Sequence, residues 1–573
     1  EKEVREIVDL AKRLEGCARH VSVHAAGVVI APRPLIEVVP LQYDPKEKGI
    51  ITQYDMHAIE DVGLLKLDFL GIKNLTILSN SVRLTKKLQG VDIDIENIPL
   101  DDTKTFAKLA RGETMGLFQL NGSGMTQYLT EMKPTSIHDI NVMIALYRPG
   151  PMDNINEYIA RKHGRSPVIY AHPKMKDFLD TTYGVLVYQD DLLMTAIHVA
   201  GYSWGEVDKF RKAVGKKIPE EMARQHVMFV LGCEKHGGMS KQAAEDMWRL
   251  FEPFQGYGFN KSHAASYGKV AYQTAYMKAN YPTEYMAAVL TADAGDVEKV
   301  AEAITECVRL GISVLPPDIN ESFGDFTVIK NKDRDQIRFG LYSIKNFGTE
   351  IAKAIIAERK QNEKFGSFAD FLERIQHKNL NKKSLESLIK CGAMDELGVR
   401  EQMLGNIEES LAYNREQKKD AQKQDSLFNL MENKESVPKL RLKEVSIVSQ
   451  KEKLAWEKEL LGLYVSGHPL NSHKEKFERL QLDIRKVKQL REGVIVTVGG
   501  IVDEIKTILT AQGEKMAFIK ISDLHDSIET VVFPRTFNEY KHILESDRII
   551  LARGKTSHRK GTPSIIIEKV KEL

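Results

Sequence analysis

The sequence VIVTVGGIV at residues 494–502 has the two-residue period of a β-strand with one buried face. Four more stretches with the same period follow it, separated by polar turns: MAFIKISD (516–523), IETVVFP (528–534), RIILARGK (548–555) and SIIIEKV (564–570). One helical stretch, RTFNEYKHIL (535–544), precedes the fourth of these strands. Five short strands with one helix before the fourth strand predict a small five-stranded barrel.

The sequence upstream of the barrel changes character several times. Residues 1–75 predict a short helix followed by a strand-rich stretch, and residues 76–290 are mostly helical, with polar loops such as LNGSG and YRPGP. Residues 291–410 continue as helices around two short turns. The stretch 411–455 is rich in Lys, Gln, Asp and Glu, which is typical of a flexible or loosely helical linker. At roughly 150 residues per domain, three to five domains are expected.

Composition excludes several classes of protein. The chain has 573 residues, of which 42% are hydrophobic and 28% charged, so collagen-like and wholly disordered proteins are excluded. Because 82 basic and 80 acidic residues leave a net charge of +2, binding to nucleic acid would have to use local basic patches. The four cysteines form no CxxC pair, which argues against a zinc site or a disulfide framework and fits a reducing cytoplasm. The first residue is Glu, which suggests a piece of a longer protein.

A carboxylate and an ammonium group share one face of the predicted strand Leu65–Phe69. The alternation of a strand places the three apolar side chains on one face and Lys66 with Asp68 on the other. A carboxylate on a rigid strand suits Mg²⁺, which prefers oxygen ligands. From the local pattern alone, a half-buried strand with a solvated polar face is the simpler explanation.

A basic helix is predicted in GYSWGEVDKFRKAVGKKIPEEM (201–222). Ser203 and Glu206 have the spacing of a capping box, and Pro219 suits the first turn of the next helix. The helix between them carries the basic residues Lys209, Arg211, Lys212, Lys216 and Lys217. These side chains would suit phosphate groups, although a solvated helix face is an equally good interpretation of a lone basic run.

Aromatic and basic residues alternate in QGYGFNKSHAASYGKVAYQTAYMKANYP (255–282). Lys261 and His263 precede a long helix with Tyr267, Lys269 and further aromatic residues, a mixture that can stack on a base or sugar and hold phosphates. An aromatic core stripe with exposed lysines remains an even alternative.

Two stretches resemble helical hairpins. LYSIKNFGTEIAKAII (341–356) predicts a helix, a turn containing Lys345 and Gly348, and a second helix, and the backbone amides of such a turn can hold a DNA phosphate. LESLIKCGAMDELGVREQML (385–404) is a looser second copy, for which an ordinary helical hairpin is plausible.

An isolated apolar pair lies in the charged linker. Leu427 and Phe428, with Gln424 just before them, have no core of their own in this polar stretch, which makes them a candidate docking peptide. A contact with a neighbouring domain is the simpler explanation from the local sequence alone.

In their order along the chain, these stretches resemble the alpha subunit of bacterial DNA polymerase III, the C-family replicative polymerase. The resemblance covers essentially the whole chain. It rests on RHVSVHAAGVVIAP (19–32), GLLKLDFLGIKNL (63–75), ETMGLFQLNGSGM (113–125), ALYRPGPM (145–152), TYGVLVYQDDLL (182–193), FRKAVGKKIPEEM (210–222), GYGFNKSHAASY (256–267), VLPPDIN (314–320), LGLYVSGHPL (461–470) and the terminal barrel.

The resemblance implies a multidomain α+β protein with a palm remnant of the polymerase-beta-like nucleotidyltransferase type. It divides the chain into the end of the thumb (1–23), the C-terminal part of the palm (24–75), mostly α-helical fingers (76–290), a helix-hairpin-helix region (291–410), a linker with a clamp-binding peptide (411–487) and an all-β OB-fold domain (488–573). Two of the family's three catalytic aspartates lie in a PDxD motif that does not occur here in its expected place. The expectation is therefore a fragment with an incomplete active site.

The resemblance also implies roles for individual residues in template-directed DNA synthesis. The primer 3′-hydroxyl would attack a deoxynucleoside triphosphate with two Mg²⁺ ions at the site. Asp68 would be a metal ligand and Lys66 a charge partner for phosphates. Nucleotide binding would use Arg211, Lys212, Lys216, Lys217 and His263. DNA would be held by Lys345 and Gly348 and, in the barrel, by Lys555, Arg559 and Lys560.

Partners follow from the same resemblance. Gln424, Leu427 and Phe428 match the family's peptide for the ring-shaped sliding clamp (beta), and a flexible tether would raise processivity by effective concentration. Primer-template DNA, the clamp loader and the proofreading exonuclease subunit are further expected partners, in a bacterial cytoplasm and without a membrane. The alternative is a non-catalytic DNA-binding and clamp-adaptor protein.

Overall fold

The structure is a computed structural model of the chain. It describes residues 2–17, 21–24, 26–45, 49–216, 219–251, 258–332, 334–422, 440–462, 464–478, 480, 482–510, 512–523, 526–559 and 562–573. Contacts between residues divide the chain into two compact units, 1–76 and 77–573. The two units are described separately.

The first unit combines an N-terminal helix with two small antiparallel sheets. Its helices and strands are α1 (Lys2–Leu14), β1 (Gly27–Ile30), β2 (Leu41–Tyr43), β3 (Ile50–Thr52), α2 (Met56–Asp61) and β4 (Leu65–Asp68). Strand β1 pairs with β4 so that Gly27 faces Asp68 and Ile30 faces Leu65. The core is small and consists of Val39, Ile59 and Leu64 with a few half-buried neighbours.

The expected helical middle of the chain is present. Helix α3 (Lys73–Gln89) leads into it. The helices that follow are α4 (Thr103–Ala110), α5 (Ser123–Met132), α6 (Ile137–Leu146), α7 (Asn154–Lys162), α8 (Lys176–Leu179), α9 (Gln189–His198), α10 (Trp204–Lys216), α11 (Pro219–Gly237), α12 (Lys241–Arg249), α13 (Lys261–Asn280), α14 (Pro282–Ala292) and α15 (Val297–Arg309). Helix α11 begins at Pro219 as its sequence predicts, because proline has no N–H to lose at a helix start.

Two packing features hold the helical region together. One hydrophobic core joins helices α9 to α12 and is built around Phe210, Phe229, Trp248 and Phe251. The second is the side chain of Lys278 on α13, which is almost fully buried and donates hydrogen bonds to the Glu113 carbonyl at 3.0 Å and the Met115 carbonyl at 2.7 Å. Lys278 also pairs with Glu306 on α15, so the buried charge has a partner.

Residues 310–410 differ in two respects from the helices expected there. A three-stranded sheet lies at the start of the region, with β5 (Val314–Leu315) parallel to β7 (Gln336–Arg338), and β6 (Thr327–Ile329) antiparallel to β7. Strands of two or three residues are too short to show a period of two, which explains why the sequence did not reveal them.

The second difference is the element before the first hairpin turn. A single 3-10 turn, Leu341–Ser343, replaces the expected helix, because strand β7 ends at Arg338 and leaves room for only one turn before Ile344. Helix α16 (Thr349–Asn362) then follows the turn as expected. The remaining helices of the region are α17 (Phe368–Arg374), α18 (Lys382–Lys390), α19 (Arg400–Gly405) and α20 (Ile407–Gln422), of which α18 and α19 form the second hairpin.

Ordered structure occurs at both ends of the predicted linker 411–487. Helix α20 extends to Gln422, and after residues 423–439, which lie outside the described part, the chain contacts α19 and α20. Asn406, which is fully buried, accepts a hydrogen bond from the Lys443 N–H at 2.9 Å and donates one to the Lys443 carbonyl at 3.0 Å. Helices α21 (Gln450–Leu461), α22 (Lys474–Glu478) and α23 (Ile484–Val487) complete the segment.

The C-terminal strands form the predicted five-stranded barrel, and the barrel is closed. Its strands are β8 (Ile495–Leu509), β9 (Lys515–Ser522), β10 (Ser527–Val532), β11 (Ile549–Arg559) and β12 (Thr562–Glu572), with helix α24 (Pro534–Tyr540) between β10 and β11. They pair in the order β10-β12-β11-β8-β9, and β9 pairs with β10 to close the ring. Inward-facing side chains such as Val498, Ile519 and Ile565 fill the interior. The fold is therefore a multidomain α+β protein with an OB-type barrel.

Within the described residues, none of the helices has the length and apolar character needed to cross a membrane.

Candidate functional site

Asp68 and Lys66 form an ion pair at the edge of the β1–β4 sheet. The Lys66 Nζ lies 2.7 Å from Asp68 Oδ1 and donates a hydrogen bond to Oδ2 at 3.0 Å. His24 Nδ1 lies 3.8 Å from the same carboxylate, at the turn that leads into β1. Gly27 pairs with Asp68, and a Cβ at Gly27 would lie 3.1 Å from His24 Nδ1. A residue larger than glycine would therefore push His24 away from the carboxylate.

The exposure of this strand differs from a simple two-faced pattern. The Lys66 side chain is only 16% exposed, whereas Asp68 is 39% exposed. Leu65, Leu67 and Phe69, the apolar residues of the strand, are all exposed in this unit. The Lys66 side chain is therefore not simply solvated. It lies against the Asp68 carboxylate.

Asp68 carries the negative charge that a ligand of a metal cation needs. The hydrogen bond from Lys66, then the charges of Lys66 and His24, hold the pKa of Asp68 below its usual value. The carboxylate is therefore ionised at neutral pH and partly accessible, which fits one ligand of a divalent cation. Within the described ranges, no group of three or more His, Cys, Asp or Glu side chains lies close enough to share an ion.

The basic helix α10 begins with the predicted capping box. The Glu206 carboxylate accepts hydrogen bonds from the Ser203 N–H at 2.8 Å and its hydroxyl at 2.6 Å. Arg211 and Lys212 share one acidic partner on the same helix, because Asp208 lies 2.9 Å from Arg211 and 2.8 Å from Lys212. All three side chains are about half exposed, so phosphate could compete for the two cations.

Two other predicted phosphate ligands cannot be placed. Helix α10 ends at Lys216, whose side chain lies outside the described part, as does all of Lys217.

His263 belongs to a row of rings along the start of α13. Its ring centroid lies 4.3 Å from that of Tyr267 and 5.2 Å from that of Phe259, and Tyr267 in turn lies 5.2 Å from Phe118. The Arg148 guanidinium lies 4.0 Å from the centroid of Phe259, close enough for a cation–π contact. His263 is exposed between Phe259 and Tyr267, so it can reach a ligand while its ring is held by these two neighbours.

The loop before α13 is fixed by residues 188–190. Gln189 donates its N–H to the Phe259 carbonyl at 2.9 Å, and Asp190 accepts the Lys261 N–H at 2.9 Å. The Lys261 ammonium lies 5.6 Å from the ring centroid of Tyr188. The stretches YQDDLL and GFNKSH, about 70 residues apart in the sequence, thus build one local structure.

The first hairpin turn exposes the residues expected to meet DNA. Lys345 and Gly348 are both exposed, and Gly348 is the N-cap of α16 without a side-chain cap. The turn is anchored from behind, where the Lys345 N–H donates to the Leu460 carbonyl of α21 at 3.0 Å. The first amides of α16 therefore remain available for an anion at this end of the helix.

Of the residues predicted to bind DNA in the barrel and the clamp in the linker, only one has a described side chain. Lys555 is exposed on β11 and lies 3.2 Å from Glu568 on β12. The side chain of Arg559 and all of Lys560 lie outside the described residues, and so do Gln424, Leu427 and Phe428. Nothing in the structure bears on those five predictions.

The sequence patterns that predicted these sites did not point to several of the residues that take part in them. Asp208 could have been recognised, since it lies three and four residues before its two partners on one helix. Arg148 and Asp190 carried no local signal, because their contacts join stretches separated by more than 70 residues.

Four family models match this chain. Residues 1–71 match the bacterial DNA polymerase III alpha NTPase domain, and residues 74–237 match the bacterial DNA polymerase III alpha subunit finger domain. Residues 311–404 match a helix-hairpin-helix motif, and residues 496–573 match an OB-fold nucleic acid binding domain.

Similar full-length proteins are named DNA polymerase III subunit alpha. The chain is 43% identical to the protein of Thermus aquaticus over 96% of this chain and 45% of that protein. Identity to the protein of Borreliella burgdorferi is 40%, over 99% of this chain and 49% of that protein. For Escherichia coli O157:H7 it is 36%, over 97% and 49%. The chain therefore spans about half the length of the relatives it matches.

Proposed function

Because this chain belongs to the family of bacterial DNA polymerase III alpha subunits, we propose that it takes part in template-directed DNA synthesis during replication. The observation that carries the proposal is the ionised, accessible Asp68 carboxylate, held by Lys66 on a rigid strand inside the stretch that matches the alpha NTPase domain. In the proposed reaction the primer 3′-hydroxyl loses its proton and forms a bond to the α-phosphorus of a deoxynucleoside triphosphate, while the bond to the β-phosphate breaks and pyrophosphate leaves.

Asp68 is proposed as one ligand of a divalent-metal site. Two Mg²⁺ ions, when bound, would stabilise the attacking and leaving oxygens of the displacement. Asp68 would hold an ion through its carboxylate, and Lys66 would release it to pair with a primer or nucleotide phosphate. His24 would keep the carboxylate oriented during that exchange. Further ligands are expected from residues beyond those described, because one carboxylate fills only a small part of the octahedral shells of two Mg²⁺ ions.

The incoming nucleotide is proposed to bind along the finger helices α10 and α13. Arg211 and Lys212 would exchange Asp208 for triphosphate oxygens. Lys216 and Lys217, which follow in the sequence, would bind the same phosphates. His263 would contact the sugar or phosphates from its place in the ring row. Since phosphates carry more charge than one aspartate, the exchange is favourable once the nucleotide arrives.

Primer-template DNA and a sliding clamp are the proposed macromolecular partners. The first hairpin turn, with Lys345 and Gly348, would hold a backbone phosphate, and the barrel would contact single-stranded template through Lys555, Arg559 and Lys560. Gln424, Leu427 and Phe428 would bind the clamp. The clamp loader and the exonuclease subunit would join the same assembly in the bacterial cytoplasm.

The test is the substitution Asp68→Asn in the intact polymerase that carries this sequence. We expect primer extension with Mg²⁺ to fall by at least a hundredfold, since a neutral amide binds a divalent cation poorly and cannot replace a charged ligand. DNA affinity in a gel-shift assay should change by less than twofold.

Asp61→Asn provides the matched control. Asp61 is an exposed aspartate at the end of α2 in the same compact unit, and its substitution should leave extension unchanged. A near-normal rate for Asp68→Asn would remove Asp68 from the metal site. Equal loss in both variants would indicate damage to the small unit rather than to a ligand.

A further inference from the structure

An exposed aromatic ring with two cations above it lies beside the first hairpin turn. Phe323 is 42% exposed, although it is a large apolar side chain. The Arg359 guanidinium and the Lys360 ammonium each lie 5.4 Å from its ring centroid. Exposed rings accompanied by basic groups are the usual elements of a stacking platform for nucleic-acid bases.

The platform is held rigidly. Arg359 is almost fully buried and donates hydrogen bonds to the Ile319 carbonyl at 2.7 Å and the Ser322 carbonyl at 2.9 Å. Both carbonyls belong to the loop that carries Phe323, so the side chain that lies over the ring also fixes the backbone beneath it. A ring positioned in this way loses little conformational entropy when a base stacks on it.

Backbone hydrogen bonds connect the platform to the hairpin turn. The Leu341 N–H donates to the Phe323 carbonyl at 2.9 Å, and the Tyr342 N–H donates to the Gly324 carbonyl at 2.9 Å. A Cβ at Gly324 would lie 2.3 Å from two atoms of the Tyr342 ring, so only glycine lets that ring lie against the loop. Lys345 and Gly348 follow directly in the sequence.

Exposed lysines continue between the two ends of α16. Lys353 and Lys360 are seven residues apart, which places them on one face of the helix, and Lys345 lies at the turn before it. From Thr349 to Lys360 the helix rises about 16 Å. That distance equals roughly five base-pair steps of duplex DNA at 3.4 Å each.

Two acidic groups near the platform have basic partners. Glu321 pairs with Arg338 and lies 3.6 Å from Lys364, and Glu350 lies 2.8 Å from Lys353. Asp325 is exposed two residues beyond the ring. Lys345 and Lys360 carry exposed positive charge at the two ends of this face.

We propose that Phe323 and Lys360 form a binding site for an unpaired nucleotide, on which a strand of DNA held at the hairpin turn stacks one of its bases. The inference rests on the proposed DNA-binding function of the hairpin region. Single-stranded DNA is the proposed ligand because the faces of paired bases are covered by their neighbours in a duplex, whereas an unpaired base offers its face to a ring. The Lys360 ammonium would hold a neighbouring phosphate.

The experiment compares Phe323→Leu with Phe323→Trp in the intact polymerase. The probe is an oligonucleotide with a duplex and a single-stranded overhang, labelled in the overhang with 2-aminopurine, whose fluorescence falls on stacking. We expect Phe323→Leu to weaken binding of the overhang substrate five- to thirtyfold and to abolish the quenching. Phe323→Trp should retain both the binding of the overhang substrate and the quenching. Blunt duplex DNA should bind equally to the unchanged protein and to both variants.

A second variant separates this inference from the function on which it rests. Lys345→Ala tests the hairpin turn and should weaken both substrates and lower the salt dependence of binding. Loss with Lys345→Ala but none with Phe323→Leu would overturn the stacking site and leave the hairpin function intact. No loss with either variant would overturn the proposed DNA contact of the whole region. Equal loss of blunt-duplex binding with Phe323→Leu would show that the ring serves the fold and not a base.

Discussion

At the scale of single residues, the charges of this protein are best understood through their partners. Asp68 is accessible but paired with Lys66, and Arg211 and Lys212 are accessible but paired with Asp208. Periodicity alone predicted that Lys66 and Asp68 share a face, because a strand alternates. It did not predict that Lys66 lies against the carboxylate, since that depends on the pairing of β4 with β1.

Asp191 is a buried carboxyl in the finger region whose protonation affects stability. Burial raises the pKa of Asp191 to about 6, although the Val187 and Tyr188 N–H groups donate to it and oppose the shift. In the unfolded chain, the pKa of an aspartate carboxyl is about 3.9. The folded state therefore binds the proton more tightly, so this group's contribution to stability is present at low pH and is lost as pH rises from about 4 to about 6.

We predict that Asp191→Asn removes this dependence. The difference in unfolding free energy between the variant and the unchanged protein should grow by up to ~3 kcal/mol between pH 4 and pH 7, in favour of the variant. Urea unfolding followed by tryptophan fluorescence, to which Trp248 in the adjoining core contributes, measures this difference. A difference that stays constant with pH would show that Asp191 titrates normally.

At the scale of elements, the close approach of α6 and α13 depends on one glycine. A Cβ at Gly268 of α13 would lie 1.8 Å from Asn141 Oδ1 and 2.9 Å from its Cγ. Helical periodicity predicted a long helix here, but which residue meets the neighbouring helix depends on the crossing of two helices more than 100 residues apart. The short sheet β5–β7–β6 was missed because its strands are too short to show a period of two, whereas the longer barrel strands were found.

We predict that Gly268→Ala destabilises the helical region by about 1–3 kcal/mol, despite the ~1 kcal/mol that alanine gains over glycine inside a helix. Asn141→Ala should remove most of this cost, because the atom that collides belongs to the Asn141 side chain. A double-mutant cycle in urea unfolding tests the pair. Additive effects of the two substitutions would mean that the helices shift apart instead of colliding.

At the scale of the whole molecule, the predicted order of helical fingers, hairpins and barrel is present, and its parts are linked by buried charges. Glu457 on α21 is buried and accepts the Val465 and Ser466 N–H groups at 2.9 and 2.8 Å, while Arg400 of α19 donates to it at 2.9 Å. This cluster joins the second hairpin to the segment that leads to the barrel. No sequence pattern predicted this cluster, because its members come from three separate stretches.

The proposed clamp peptide gives a prediction at the same scale. Replacing Leu427 and Phe428 together by Ala should weaken clamp binding at least tenfold, since two apolar side chains would be lost from their pocket, and should leave DNA affinity unchanged within twofold. Surface plasmon resonance with purified clamp and a gel shift with primer-template DNA measure the two effects. Ser426→Ala, within the same peptide, is the matched control. Retained clamp binding would place the contact elsewhere in the protein.

The closure of the barrel has a consequence for biosynthesis. Strand β12 pairs with both β10 and β11, and it is the last of the five strands in the sequence. The chain leaves the ribosome N-terminus first, so four strands of the barrel emerge before β12. Until β12 is added, two strand edges stay unpaired and the ring cannot close. The helices of the fingers, whose contacts are more local, can fold earlier. The barrel therefore exposes unpaired strand edges in a nascent chain until its last strand is synthesised.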